Sequence, residues 1–180
     1  LTAEIAAKRF GFQFASSNEA DILTNPDINT VVLLTRHNQH ARQVLTALQI
    51  GKNVYCEKPL ALNEQELAEI EKVLSNSATP LLTVGFNRRF APFAVKLQQF
   101  FENHSEPLYA HYRINAGFLP ANHWTQDPIQ GGGRILGEGC HFIDFLTFIV
   151  GSAPVSVRAS ALPDGGRYNQ DNVSMTFRFA

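Results

Sequence analysis

The chain has 180 residues, of which 44% are hydrophobic and 17% charged, with a formal net charge of −1. That is the make-up of an ordinary globular protein with room for a proper core. It leaves no broad basic field to attract nucleic acid, and no apolar run reaches the roughly 18 residues that a membrane span needs. Two cysteines, Cys56 and Cys140, make neither a disulfide framework nor a zinc pattern, so a reducing cytoplasm is the expected compartment.

Leu1 to Phe10 reads as the middle of a helix that Gly11 ends. With no initiator methionine or signal-peptide pattern at the start, and an unclosed strand at the finish, the expectation is a piece cut from a longer protein at both ends. Phe12 to Ser16 is a short strand candidate, and Asp21 to Pro26 a short helix stopped by its proline. Val31-Val32-Leu33-Leu34 is a continuous apolar run, the pattern of a parallel strand buried on both faces. Thr35 to His40 is polar and turn-like. Ala41, Val44, Leu45 and Leu48 then repeat at helical spacing up to Gly51.

Asn53 to Cys56 is a strand that runs into Glu57-Lys58-Pro59. The proline has no amide hydrogen and holds Lys58 extended. Asn63 with Glu66 forms a capping-box pattern opening a helix with Leu67, Ile70, Val73 and Leu74 on its apolar face. Pro80 to Phe86 is the next strand. This alternation of strand and helix over residues 12–86 predicts an α/β fold with a parallel, doubly wound sheet.

Beyond Phe86 the regular alternation stops. A helix carries Phe93, Leu97, Phe100 and Phe101, and Leu108 to Ala116 is a strand candidate. Residues 117–133 are irregular. A helix from Glu138 to Ile149 ends at Gly151, and strands at 155–161 and 173–179 flank a Gly/Asp/Asn-rich connection. Strands without regular intervening helices predict a second, α+β domain beginning near residue 87.

Several residues carry candidate chemistry. Glu57, Lys58 and Pro59 stand at the C-terminal edge of a strand, where open α/β sheets bind ligands; the other reading is a surface ion pair beside a turn. Thr35, His37 and His40 fall at the same edge and are placed against a cofactor. His37 and His40 also have metal-ligand spacing, but no third ligand accompanies them, so no metal is assigned. On the later helix, Glu138, His141 and Asp144 follow at intervals of three, so a carboxylate on either side can tune the imidazole for acid–base work. A histidine in local packing beside a solvated aspartate is the alternative. Arg88 and Arg89 either meet a ligand phosphate or lie on the surface. Trp124, in a loop with Asp127, either walls a substrate pocket or plugs the core. Gly131-Gly132-Gly133 is either an anion-binding backbone or a turn, and no GxGxxG occurs.

Gly51 to Ala61, Val84 to Phe90, and Gly131 through Asp144 resemble, in order and spacing, the Gfo/Idh/MocA family (glucose–fructose oxidoreductase / inositol dehydrogenase). The resemblance implies that residues 1–86 are the C-terminal part of a Rossmann dinucleotide-binding domain whose glycine-rich turn precedes Leu1. Residues 87–180 would begin an α/β substrate domain, with an open, mostly antiparallel sheet that often joins subunits into a homo-oligomer. It implies NAD or NADP as cofactor, and a hydride passed between nicotinamide and a carbinol or ketone of a sugar, nucleotide-sugar or cyclitol. Lys58 would lie near the nicotinamide and the reacting oxygen, Glu57 would hold Lys58, and His141 would accept the proton. A cation there stabilises alkoxide charge and favours a neutral, basic imidazole. Arg88, Trp124 and Asp127 are the candidates for substrate contact.

The sequence departs from the family pattern twice. Many members have an aspartate four residues before the histidine, where this chain has Gly137; Glu138 follows about 100° further round a helix. The turn Thr-Pro-Asn-x-x-His becomes Thr35-Arg36-His37-x-x-His40. These changes keep a second reading open, a non-catalytic dinucleotide-binding or oligomerising protein with the same fold. The piece alone is expected to bind dinucleotide poorly and to be inactive.

Overall fold

The structure is a computed structural model and describes residues 2–76, 78–163, 165–166 and 171–180. Two helices, α1 (Thr2–Phe10) and α2 (Glu19–Leu23), lead into a parallel sheet. In chain order follow β1 (Thr30–Leu33), α3 (His37–Gln49), β2 (Asn53–Cys56), α4 (Glu64–Leu74) and β3 (Leu82–Val84). The strands lie in the order β1-β2-β3, with Leu33 beside Cys56 and Cys56 beside Val84. Parallel strands need crossovers, which α3 and α4 supply.

Each crossover helix has a readable cause. At α4 the Asn63 side chain accepts the Glu66 amide at 2.9 Å, while Glu66 reaches back to the amide of Leu62 at 2.8 Å. The box therefore closes one residue upstream of the usual reciprocal bond, on Leu62 rather than Asn63. On α3, Ala41, Val44, Ala47 and Leu48 are buried, and they pack with Val31, Val54, Cys56 and Ile70 into the main core.

The run Val31 to Leu34 is covered on one face only. Val31 is buried while Val32 is 60% exposed, because among the described residues α3 and α4 supply the core and pack together. A continuous apolar run cannot by itself report which face is covered. Lys52, just before β2, is also buried, and its ammonium donates to the carbonyls of Asn25 and Ile28.

Two strand candidates are absent. Residues 12–16 and 108–116 run without ladder pairing, since a strand forms only where a neighbour supplies its hydrogen bonds. Thr35 to His40 is also not a turn throughout, because His37 already opens α3.

In the second half, α5 (Pro92–Phe101) packs on α6 (Cys140–Val150), and β4 (Pro154–Ala161) pairs antiparallel with β5 (Val173–Phe179). Of the Gly/Asp/Asn-rich connection between these strands, residues 164 and 167–170 lie outside the described residues. The helix predicted from Glu138 begins instead as a π-helical turn, Ile135–Gly139, and becomes α-helical at Cys140. Such turns change which side chains share a face.

Candidate active site

Because β1, β2 and β3 are parallel, the residues that follow them meet at one edge. The amide of Glu57 donates to the carbonyl of Leu33 at 3.0 Å, and that of Gly85 to Cys56 at 2.8 Å. The turn after β1 is braced to the turn after β2 by His40, whose Nδ1 lies 2.7 Å from the Pro59 carbonyl and Nε2 3.0 Å from the Thr35 carbonyl. At 1% exposure His40 ties the two turns together from within. Thr35 donates its hydroxyl to Gln43 at 2.7 Å.

The Glu57-Lys58-Pro59 turn splits its charges. Glu57 accepts the backbone amide of Lys58 at 3.3 Å and also bonds the Tyr55 hydroxyl, which burial and then this carboxylate hold above the usual phenol range. The pair lies flat over Gly85: a Cβ there would come within 2.8 Å of the Tyr55 oxygen and 2.9 Å of Glu57 Oε1. The Lys58 ammonium turns the other way and donates to the Gly137 carbonyl at 2.7 Å. Glu57 thus holds Lys58 by its backbone amide, while a backbone carbonyl from the second half holds the ammonium.

His141 lies in the first turn of α6 at 8% exposure, edge-on to Phe86 with ring centroids 6.2 Å apart. Burial, then the charges of Lys58 and Arg88, push its pKa down, against weaker opposition from Glu57 and Asp144. The imidazole is therefore neutral at physiological pH. Nδ1 is buried and meets no hydrogen-bond partner among the described residues. His37 is likewise buried and pushed down, by burial first and then by Lys58 and His40, against the carbonyl of Gly131. A cation with two neutral imidazoles at a strand-end crevice can stabilise a developing alkoxide and take up its proton.

The comparisons with known proteins agree with this geometry. Residues 1–86 match the family model described as "Oxidoreductase family, NAD-binding Rossmann fold", and residues 105–180 match the "GFO/IDH/MocA C-terminal domain". The chain belongs to the Gfo/Idh/MocA family. It is 30% identical over 178 residues to a levoglucosan dehydrogenase of Pseudarthrobacter phenanthrenivorans, covering 91% of this chain and 44% of that protein. To an inositol 2-dehydrogenase of Rhizobium meliloti it is 28% identical over 165 residues, covering 86% and 48%. A levoglucosan dehydrogenase structure in complex with NADH superposes with a TM-score of 0.79 at 28% identity, over 99% of this chain and 52% of the other. The complex with NADH and levoglucosan gives 0.78 at 26% identity, over the same shares. The chain thus spans less than half the length of these curated relatives.

Within this Gfo/Idh/MocA frame, the structure separates the two carboxylates from His141. Glu138, in the π turn, accepts from Arg134 at 3.2 Å, and Arg134 also donates to the Gly117 carbonyl at 2.7 Å and pairs with Asp171 at 3.5 Å. Asp144 gives both oxygens to Arg89, one at 3.1 Å. Neither is hydrogen-bonded to the imidazole, because the π turn rotates Glu138 out of α-helical register and Arg89 competes successfully for Asp144. Arg89 is thereby paired within the chain. Arg88 lies 4.7 Å over the Phe142 ring, donates to the Tyr112 hydroxyl at 3.2 Å, and lends its charge to His141.

Trp124 packs edge-on against His37, centroids 4.7 Å apart, with the Arg36 guanidinium 5.5 Å from its ring. Asp127 builds its own loop: its carboxylate accepts the amides of Ile129 at 2.8 Å and Gln130 at 2.9 Å, and these bonds hold its pKa down. Its carbonyl takes the amides of Gly131 and Gly132. Gly131 and Gly132 are thus engaged within the chain, and the Gly131 carbonyl also accepts from His37 at 2.8 Å. Among the described residues no group of three or more His, Cys, Asp or Glu side chains is placed to hold a metal. No helix among them is long and apolar enough to cross a membrane.

Sequence reasoning missed Tyr55, Gly85 and the Gly137 carbonyl. The signal for the first two was weak but present: a tyrosine two residues before a glutamate, facing a glycine that directly follows the next strand. A backbone carbonyl leaves no signal in the residue letters.

Proposed function

We propose that the intact protein is an NAD(P)-dependent dehydrogenase acting on a carbinol or ketone of a sugar, nucleotide-sugar or cyclitol. One observation carries the reading: a buried, neutral His141 and a Lys58 ammonium are brought together at the C-terminal edge of a parallel sheet. The names of the levoglucosan and inositol relatives support the substrate class, and the NADH complexes of the former support the cofactor. When bound, nicotinamide accepts the hydride that leaves the carbinol carbon with the C–H electron pair. His141 takes the hydroxyl proton, and Lys58 steadies the oxygen as its bond to carbon becomes double. Residues 1–86 form the later part of the Rossmann domain and 87–180 the start of the substrate domain. Thr35, His37, Glu57 and Pro59 line the cofactor edge, with His40 bracing it, while Arg88 and Trp124 face the substrate side.

A cytoplasmic homo-oligomer completes the reading, with β4, exposed along its whole length, as the contact. The rival, a binding protein without turnover, is favoured because among the described residues no carboxylate accepts a hydrogen bond from His141. A crystal of the intact protein soaked with NAD(H) or NADP(H), paired with a sugar and cyclitol turnover screen, decides between them. Nicotinamide in contact with both Lys58 and His141, together with turnover, supports the dehydrogenase. Cofactor bound elsewhere, or no turnover on any substrate of the panel, supports the rival.

A further inference from the structure

Two of the positions at which this chain departs from its family's pattern, His37 and Gly137, face each other. A Cβ added at Gly137 would lie 3.0 Å from Cε1 and 3.6 Å from Nδ1 of His37, so close that the ring must give by a few tenths of an ångström. The ring has little freedom to shift. Its Nδ1 donates to the Gly131 carbonyl at 2.8 Å, Trp124 stands against it, and it is 7% exposed. Gly137 is also the residue whose carbonyl holds the Lys58 ammonium at 2.7 Å, so His37 and Lys58 share one backbone neighbour.

The hydrogen bond fixes the tautomer. A carbonyl only accepts, so the proton of the neutral ring sits on Nδ1 and the lone pair on Nε2. Among the described residues no hydrogen bond reaches that Nε2.

We propose that His37 takes the room a side chain at position 137 would fill beside Lys58, and that its Nε2 accepts a hydrogen bond from a ligand hydroxyl there. The pair His37–Gly137 would then decide which polyol fits. A ligand presenting a hydroxyl to this wall is favoured, and one presenting a carboxylate or carbonyl is disfavoured, since acceptor would face acceptor. The ligand's identity as a polyol rests on the dehydrogenase reading; the pairing of the two residues does not.

The test is a double-mutant cycle in the intact protein, read by thermal unfolding and by calorimetric titration of NADH and then of a polyol into the NADH complex. Gly137→Ala lowers the unfolding midpoint by roughly 5 °C, the scale that overpacking by one methyl implies, and has little effect once His37→Ala is present. A Gly137→Ala cost that is undiminished in the His37→Ala background overturns the pairing. His37→Ala raises the Kd of the polyol on the order of tenfold, well beyond the change in the Kd of NADH that follows from its place on the cofactor edge. His37→Gln, which keeps an acceptor, recovers part of the loss. Equal losses for NADH and polyol mark a structural role and overturn the acceptor assignment, as does an unchanged polyol Kd. If polyol binds but no substrate turns over, the dehydrogenase reading fails and the pairing stands.

Discussion

The Lys58 ammonium and the Gly137 carbonyl oxygen lie 2.7 Å apart, so the cation after β2 is anchored to the segment that carries His141. A carbonyl dipole neutralises less of the ammonium's charge than a carboxylate would. The field of Lys58 therefore remains available to His141, where it joins burial in holding the imidazole neutral. One hydrogen bond thus couples placement of the proposed electrophile to the basicity of the proposed base.

Replacing Lys58 by Met tests both consequences at once. Turnover falls about 10²–10³-fold, the scale for losing one charge-stabilising donor at a reacting oxygen, while the Kd for NADH changes little. The pH–rate profile moves as well. Neutral His141 is the active form, so activity falls on the acid side as the ring gains a proton. Removing the neighbouring cation raises the pKa of His141, and the acid limb shifts to higher pH. A limb that stays in place in steady-state assays removes Lys58 from contact with His141.

Asp144 and Glu138 separate the spacing argument from the structure. Asp144→Asn leaves Arg89 without its anion in a half-buried pair and destabilises by about 2–3 kcal/mol, below the figure for fully buried pairs because Arg89 keeps some solvent. Glu138→Gln breaks a half-exposed contact with Arg134 and costs under about 1 kcal/mol, with turnover within a few-fold of the parent. Urea unfolding and steady-state assays of both variants check this. A collapse of turnover in Glu138→Gln with stability intact would reinstate Glu138 as a partner of the chemistry.

These two residues also show where the sequence stopped being legible. The parallel sheet could be read because Val54 and its neighbours are apolar runs bounded by Gly51 and Pro59, a local signal. Lys58 and His141 could be read because each stands in a motif of fixed spacing. Glu138 was misplaced because the intervals of three assumed an α-helix, and the π turn from Ile135 to Gly139 changes the rotation. Phe12–Ser16 and Leu108–Ala116 have strand-like letters, yet strand formation depends on a partner elsewhere in the chain. The grip of Lys58 on Gly137 joins residues 79 apart through a backbone atom, which no side-chain pattern encodes.

Ile70 tests the core beneath the site. It is almost fully buried between α3 and the sheet, so Ile70→Ala loses transfer energy and leaves a cavity worth about 2–5 kcal/mol together. Phe93→Ser, on the exposed face of α5, stays within about 0.5 kcal/mol. Chemical denaturation of the two variants gives a clear ranking, and equal losses would mean that α5 is covered in the intact protein.

Acid sensitivity follows from the two neutral imidazoles. His37 and His141 have folded pKa values below the ordinary imidazole value of about 6.5. Above that value both folded and unfolded chains are unprotonated and the stability is fully present. As pH falls through 6.5 the unfolded chain binds protons first, so stability drops, and it keeps dropping until the folded rings titrate in turn. Glu19 falls in a separate window: its pKa, pulled to about 2 by hydrogen bonds from Arg42 and Gln43, makes its contribution vanish only well below the imidazole range, and exposure keeps that contribution small. Unfolding midpoints measured between pH 8 and pH 5 therefore decline on the acid side of 6.5. Substituting Asn for both His37 and His141 flattens the decline, because Asn has no proton to gain. An unchanged slope in that double variant would assign the acid sensitivity to other groups and leave the neutral pair without thermodynamic weight.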